Sequence, residues 1–198
     1  MAGTGRRRIG VFGGTFDPLH EGHLVVADEV YARLQLDELL FVPAGDPWQK
    51  ATGASEDDRL AMVILGLRGH SNFAVSTVAI DRPGATYTVD TLRDLRHKYP
   101  DAELFFIVGA DAYVGIGSWK DSEMLPELAE FVVVSRPGDH ADGDPTPHSG
   151  VNWLEIPALP VSSTQCRQRV RDGLSLEGLV PGEVATYITD HHLYRSAS

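Results

Sequence analysis

His20 and His23 stand three residues apart, just after the run Gly13-Gly14-Thr15-Phe16-Asp17-Pro18-Leu19 and the apolar segment Ile9-Gly10-Val11-Phe12. An apolar run ending in paired glycines reads as a buried strand turning sharply into a helix, with the backbone at Gly13 and Gly14 approaching something closely. At a helix start the three-residue spacing puts both imidazoles on one face. Free first-turn N–H groups, the positive helix end and two imidazoles together make a site for a chain of phosphates. A double glycine alone is an ordinary tight turn, and one histidine at a helix start is an ordinary cap. Both histidines beside Gly-Gly-Thr and Asp-Pro are what point to chemistry. Asp17 itself reads as a turn residue beside Pro18 in preference to a metal ligand.

A scaffold must hold these groups in place. Apolar, β-branched runs recur at residues 9–12, 39–42, 73–78, 104–108, 131–134 and 153–156, separated by segments of helical period. Leu24, Ala27, Tyr31 and Leu34 fit one helical face. Leu60, Val63, Ile64 and Leu67 fit a second, after the candidate cap Ser55. Val89, Leu92 and Leu95 fit a third, ended before Pro100. A last helix within residues 182–194 turns Val184, Tyr187 and Ile188 inward. Strands alternating with helices predict an α/β fold: a Rossmann-like, mostly parallel sheet with helices on both faces. Such sheets bind ligands beyond the carboxyl ends of their strands, and the polar motifs of this chain all lie at such ends. One domain over residues 1–198 is expected, with an exposed loop at 138–150 rich in Gly, Asp, Pro and His. Its Asp139, His140, Asp142, Asp144 and His148 have no fixed ligand spacing, so no metal site is expected there.

Further polar groups follow the later strands. Lys50 closes Pro43-Ala44-Gly45-Asp46-Pro47-Trp48-Gln49-Lys50, and by default is a solvated surface lysine. Within Ala85-Thr86-Tyr87-Thr88, Thr88 reads as a helix N-cap and Thr86, lying before the helix, as a donor to a ligand. Asp111 follows Gly109-Ala110, where capping a short helix is its plain role. Trp119, between Ser118 and Lys120, would ordinarily be core. Arg136 is either a nucleotide contact or an ion-pair partner. Ser162-Ser163-Thr164 opens a helix with hydroxyls and free N–H groups, and Arg167 lies one turn on. Arg169 and Arg171 face solvent.

The Gly13–His23 stretch resembles the G-T-F-D-x-x-H-x-G-H signature of the nucleotidyltransferase superfamily, and its double glycine and Asp-Pro resemble the nicotinate mononucleotide adenylyltransferases. Ser162-Ser163-Thr164-Gln165-Cys166-Arg167 is similar to the S-S-T-x-I-R motif of the same superfamily, with Cys166 as a small apolar replacement for isoleucine. The matches span nearly the whole chain. Many family members carry a histidine before the lysine or arginine at position 50; this chain has Gln49, after an unusual Trp48. The resemblance implies a nucleotidyltransferase-type fold and catalytic roles for His20, His23, Lys50 and Arg167. It implies ATP contacts from Gly13, Gly14, Thr15, Phe16, His20, His23, Gly109, Asp111, Arg136, Ser163, Thr164 and Arg167. It implies nicotinate mononucleotide contacts from Thr15, Lys50, Thr86, Tyr87, Trp119 and Lys120. Thr86 would meet the nicotinate carboxylate and Trp119 the ring, since a pyridinium cation gains from an indole face.

Composition agrees with such a role. The 198 residues, 42% hydrophobic and 23% charged, suit one folded domain. A net charge of −11 argues against a nonspecific nucleic-acid binder. No apolar run approaches a bilayer span, Met1 to Arg8 lack a signal-peptide core, and the single Cys166 fits a reducing cytoplasm. No paired catalytic carboxylates stand out and no Ser or Cys has an evident base, so a covalent intermediate is not expected. The implied reaction is adenylyl transfer from ATP, with Mg²⁺ carried by ATP, to nicotinate mononucleotide, giving deamido-NAD. The rivals are a pantetheine-phosphate adenylyltransferase and a catalytically silent nucleotide sensor on the same scaffold. No nucleic-acid or membrane partner is expected, and the protein is a monomer or a homo-oligomer.

Overall fold

The computed structural model describes residues 5–47, 51–135, 151–157 and 159–195. Its elements in chain order are β1 (Arg8–Gly14), α1 (Glu21–Arg33), β2 (Glu38–Pro43), β3 (Asp46–Pro47), α2 (Glu56–Gly66), β4 (Phe73–Val75), β5 (Ala85–Thr86) and α3 (Thr88–Lys98). There follow β6 (Glu103–Gly109), α4 (Ala110–Val114), α5 (Leu125–Leu128), β7 (Glu130–Ser135), β8 (Val151–Glu155), α6 (Ser163–Arg171) and α7 (Gly182–Asp190). Six strands pair in the order β4-β2-β1-β6-β7-β8, every pair parallel. From β1 the chain first winds outward through β2 to β4, then returns to the other side of β1 with β6. The strand order therefore reverses between β1 and β6, where a parallel sheet opens a crevice at its carboxyl edge.

Strand alternation divides the core. Ile9, Val11, Leu104, Phe106 and Val108 point to one face, where they meet Val89, Leu92 and Leu95 of α3. Phe12, Phe105 and Ile107 point to the other, against Leu24, Ala27 and Val30 of α1 and Val63 of α2. Burying each such side chain contributes roughly 1.5–3 kcal/mol, so both faces must be covered for the sheet to persist. A third cluster joins Met62 of α2, Cys166 of α6, Val184 and Ile188 of α7, and Tyr194. It packs beside the sheet and carries α6 to the crevice.

Several local expectations shift. Ser55 caps α2 as expected, its hydroxyl accepting from Asp58 N at 3.1 Å. The buried face of α2 is instead Arg59, Met62, Val63 and Gly66, and Ile64 is 49% exposed. The run 73–78 forms a strand only over Phe73–Val75, and two-residue strands β3 and β5 pair outside the main sheet. Thr88 is the first residue of α3 and Tyr87 occupies its N-cap position, without a side-chain cap bond. The loop expected at 138–150 lies outside the described residues.

Candidate active site

The crevice is built first from the turn after β1. A Cβ on Gly14 would lie 2.8 Å from the Phe16 ring, and one on Gly13 would lie 3.3 Å from Phe106. The close approach that requires glycine is thus made by the protein's own aromatic rings, which lets the turn lie flat over the core. His20 occupies the N-cap position of α1, and its backbone N–H donates to His23 Nδ1 at 3.2 Å. The two imidazoles stack, with centroids 3.6 Å apart and planes at 21°. Phe12 and Phe16 meet the His23 ring edge-on. Burial first, and then the neighbouring His20, hold the His23 pKa well below the ordinary imidazole value. His23 is therefore neutral near pH 7. Because Nδ1 accepts, its single ring proton is on Nε2, and that N–H is a donor for a ligand.

Two cavities flank this turn and share Gly109, the end of β6, in their walls. The first, about 220 Å³, is lined by Gly13, Gly14, Thr15, Thr86, Tyr87, Trp119 and Lys120 among others. The second, about 200 Å³, is lined by His20, His23, Gly109, Asp111 and Ser135 among others. Trp119 leans edge-on against Phe106, 6.3 Å between ring centroids. Thr86 Oγ1 accepts the Gly45 N–H at 3.0 Å and donates to Ala79 O at 3.5 Å. The second bond is at the outer limit of length, so a ligand oxygen that comes closer can take the proton. Lys120 Nζ sits 2.9 Å from Asp90 Oδ2 and 4.7 Å from the Tyr87 ring centroid. Burial works to raise the Asp90 pKa, but the hydrogen bond and charge of Lys120, with Arg82 and Arg93, reverse it and keep Asp90 ionised. Asp111 lies exposed in the first turn of α4, whose N-cap position is Gly109.

The N-terminus of α6 follows Val161, which lines the second cavity, and is tied to the Asp17-Pro18 turn. Ser162 caps it, accepting from Gln165 N at 3.2 Å, while the Ser163 hydroxyl donates to Pro18 O at 2.9 Å. The first-turn N–H groups of Ser163 and Thr164 precede the helical ladder and are donors for a ligand. Arg167 Nη1 donates to the Asp17 carbonyl at 2.7 Å, and Nη2 donates to Thr164 Oγ1 at 3.2 Å. Asp17 is 3% exposed, and its carboxylate accepts from Gly53 N at 2.6 Å, Ala54 N at 3.1 Å and the Tyr194 hydroxyl at 2.8 Å. Within reach of the Asp17 charge, Arg59, 1% exposed, donates to the carbonyls of Thr15, Ala44 and Gly45. One guanidinium thus ties the end of β1 to the loop after β2.

Residues 11–169 match the family described as Cytidylyltransferase-like. A protein of Clavibacter sepedonicus named "Probable nicotinate-nucleotide adenylyltransferase" is 55% identical over 98% of each chain. The chain belongs to the nicotinate-nucleotide adenylyltransferase family. A Streptomyces coelicolor member of the same name is 53% identical over 92% of this chain and 98% of its own. The fold is shared with the Plasmodium falciparum nicotinic acid mononucleotide adenylyltransferase complexed with NaAD. That structure has a TM-score of 0.81 at 20% identity, covering 96% of this chain and 98% of the other.

Among the residues that the family motifs single out, the fold brings Gly13, Gly14, Thr15, His20, His23, Gly109, Asp111, Thr86, Tyr87, Trp119 and Lys120 to the two cavities. Phe16 departs from the expectation of an ATP contact: its side chain is 2% exposed in the core, leaving only its backbone for a ligand. The Ser163 hydroxyl is likewise turned to Pro18 O, so what α6 offers there is its N–H groups. Lys50 and Arg136 lie outside the described residues. Two supports of this family member's site were not legible in the motifs, Arg59 and Tyr194. Arg59 carries a faint signal, since Met62 and Val63 follow it at three and four residues and place it on their buried face. Tyr194 carries none.

Proposed function

We propose that this chain transfers the adenylyl group of ATP to nicotinate mononucleotide, releasing pyrophosphate and forming deamido-NAD. The observation that carries the reading is the pair of cavities that share Gly109 in their walls, one lined by the two imidazoles and the other by Trp119. The names of relatives above half identity support the same substrates. ATP occupies the histidine side and the pyridine nucleotide the tryptophan side, so the two reactive phosphates meet over Gly13–Thr15. The acceptor phosphate oxygen then forms a bond to the α-phosphorus in line as the bond to the β-phosphate oxygen breaks. No protein nucleophile is needed. The work is positioning and stabilisation of developing negative charge.

Each described group has a part in that work. His23 Nε2–H and His20 meet the α-phosphate region, and the first turn of α6 and Arg167 hold the departing pyrophosphate. The family resemblance adds Lys50 at the reacting phosphates and Arg136 at the nucleotide, both outside the described residues, and Asp111, which lines the second cavity, at the nucleotide as well. The Asp17 carboxylate accepts three hydrogen bonds, which supports a role in holding the turn in preference to one as a metal ligand. Among the described residues no group of three or more His, Cys, Asp or Glu gathers to hold a metal ion. Mg²⁺ carried by ATP would supply neutralisation of the phosphate charge, with His20, His23 and Arg167 holding the nucleotide around it. No helix among the described residues is long and apolar enough to cross a membrane, and a buried free Cys166 suits the reducing cytoplasm.

Pyrophosphate release measured with nicotinate mononucleotide, nicotinamide mononucleotide and phosphopantetheine tests the reading. Turnover with phosphopantetheine alone, or with none of the three, overturns it. Arg167 gives a second check. Its charge-assisted bonds to phosphate are worth about 1.5–3 kcal/mol each, so Arg167→Ala is expected to weaken ATP use by at least about tenfold. Arg167→Lys keeps the charge and loses the planar fork, and is expected to recover only part of that loss. Steady-state constants for ATP equal in wild type, lysine and alanine variants would remove Arg167 from the site.

A further inference from the structure

We propose that Tyr194 is a positioning residue for the triphosphate end of the site, acting through Asp17 on Arg167. The inference rests on the assignment of Arg167 to ATP. Four groups surround the Asp17 carboxylate, three donors bonded to it and one guanidinium beyond them. Its side-chain oxygens receive Gly53 N, Ala54 N and the Tyr194 hydroxyl, while Arg167 Nη1 stands 3.7 Å from Oδ2, a loose ion pair. Ala54 N and Tyr194 both bond Oδ1, and Gly53 N bonds Oδ2, so the carboxylate is held from three directions and cannot turn fully onto the guanidinium. Arg167 is left bonded to the Asp17 backbone carbonyl and Thr164, with charge still available for a phosphate. Without the tyrosine hydroxyl, Oδ1 loses a donor in a buried place. A carboxylate short of donors there turns to the nearest cation.

The surroundings show how firmly Tyr194 is placed. It is 7% exposed, and its backbone has φ +62°, a region that non-glycine residues seldom adopt unless packing sustains it. The backbone of Gly53 lies wedged between this ring and Arg167: a Cβ there would come within 3.1 Å of the ring and 3.0 Å of Arg167 Cδ. The ring therefore sets where Arg167 runs, and the hydroxyl sets what Asp17 does with it. Burial first, and then the Asp17 charge, push the Tyr194 hydroxyl far above its ordinary pKa, so it remains a donor at any working pH.

Tyr194→Phe separates these parts, because it keeps the ring against Gly53 and removes only the donor. Calorimetric binding of Mg-ATP without acceptor is the primary measurement, since it does not depend on which acceptor the enzyme uses. Tyr194→Phe is expected to weaken ATP binding by about tenfold, with KM for nicotinate mononucleotide within about twofold of wild type. Added to Arg167→Ala, it is expected to cause no further loss, the signature of two residues acting through one contact. Gly53→Ala, which keeps the hydroxyl but presses ring and guanidinium apart, is expected to weaken ATP in the same selective way. Wild-type ATP affinity in both variants overturns the inference, as does a loss that multiplies with that of Arg167→Ala. So does a lowered melting temperature with unchanged constants, which would make the residue a structural brace. Failure of wild-type enzyme to use any pyridine nucleotide would instead overturn the reaction, and leaves these binding comparisons intact.

Discussion

In the His23→Ala variant, adenylyl transfer is expected to slow by roughly two to three orders of magnitude, or about 3–4 kcal/mol of barrier, as when one preorganised donor is removed from an oxyanion site. The donor is the Nε2–H of a neutral imidazole, held in that tautomer by the His20 N–H and wedged by Phe12 and Phe16. Alanine also leaves the His20 N–H without its acceptor, a cap loss of about 1 kcal/mol. His23→Asn retains a side-chain acceptor, so it separates the two effects: stability close to wild type, turnover close to alanine. His20→Ala is expected to slow transfer similarly. Single-turnover rates on folded variants decide the matter, and near-normal chemistry in either His23 variant would remove the imidazole from the mechanism.

The same histidine predicts a pH dependence. Burial and then His20 lower its folded pKa well below 6.5. Below that value the unfolded chain takes up a proton that the folded chain refuses, so the histidine's contribution to stability is complete above pH 6.5 and is lost as pH falls toward the folded pKa. Unfolding free energy should therefore fall with acidification by up to about 1.4 kcal/mol per pH unit more in wild type than in His23→Asn. Turnover should likewise hold level through the ordinary imidazole range. An acid limb centred on that range, absent from His23→Asn, would mean that the ring titrates normally.

Wild-type enzyme is expected to prefer nicotinate over nicotinamide mononucleotide by at least roughly a hundredfold in kcat/KM. The two acceptors differ by a carboxylate against a neutral amide. At the tryptophan cavity the Thr86 oxygen is committed to Gly45 N, and its proton, on a long 3.5 Å bond to Ala79 O, can be given to a closer acceptor. Lys120 brings an ammonium to the same wall, its charge shared with Asp90. A wall of donors satisfies a carboxylate and strands the amide NH₂, an unsatisfied group costing about 1–3 kcal/mol before the charge-assisted bond is counted. Thr86→Val keeps the shape and removes the donor, so it should narrow the ratio by weakening the carboxylate substrate. Trp119→Ala should weaken both acceptors, because stacking on the ring is common to them. Equal kcat/KM for the two acceptors in wild type would leave a dual-specificity enzyme.

What was legible in the chain, and what was not, follows the range of the interactions concerned. The four central strands stand out as apolar runs because they are covered on both faces, whereas the edge strands β4 and β8 are only part-buried and their bounds shift from the expected runs. Strands β3 and β5 span two residues each, too short to carry a pattern. The face of α2 is misread because hydrophobicity favours Ile64 over Arg59. In fact Arg59 goes inside to satisfy three carbonyls, and Ile64 goes out. The serines of α6 are legible as a helix start, but their division of labour depends on Pro18, 145 positions away. Phe16 reads as part of a binding motif, and its ring instead fills the space that Gly14 opens.

The bond from Tyr194 to Asp17 also has a consequence for the order in which the protein is made. The two residues are 177 positions apart, so a ribosome working at roughly 5–20 residues per second delivers the second about 10–35 s after the first. During that interval β2 and β6 are made, and with β1 they have the apolar faces to pair and bury. Helix α6 and then Tyr194 come only after the last strand, β8. The carboxylate of Asp17 thus waits for its third donor until every strand of the sheet has been made, and that contact closes one very long loop.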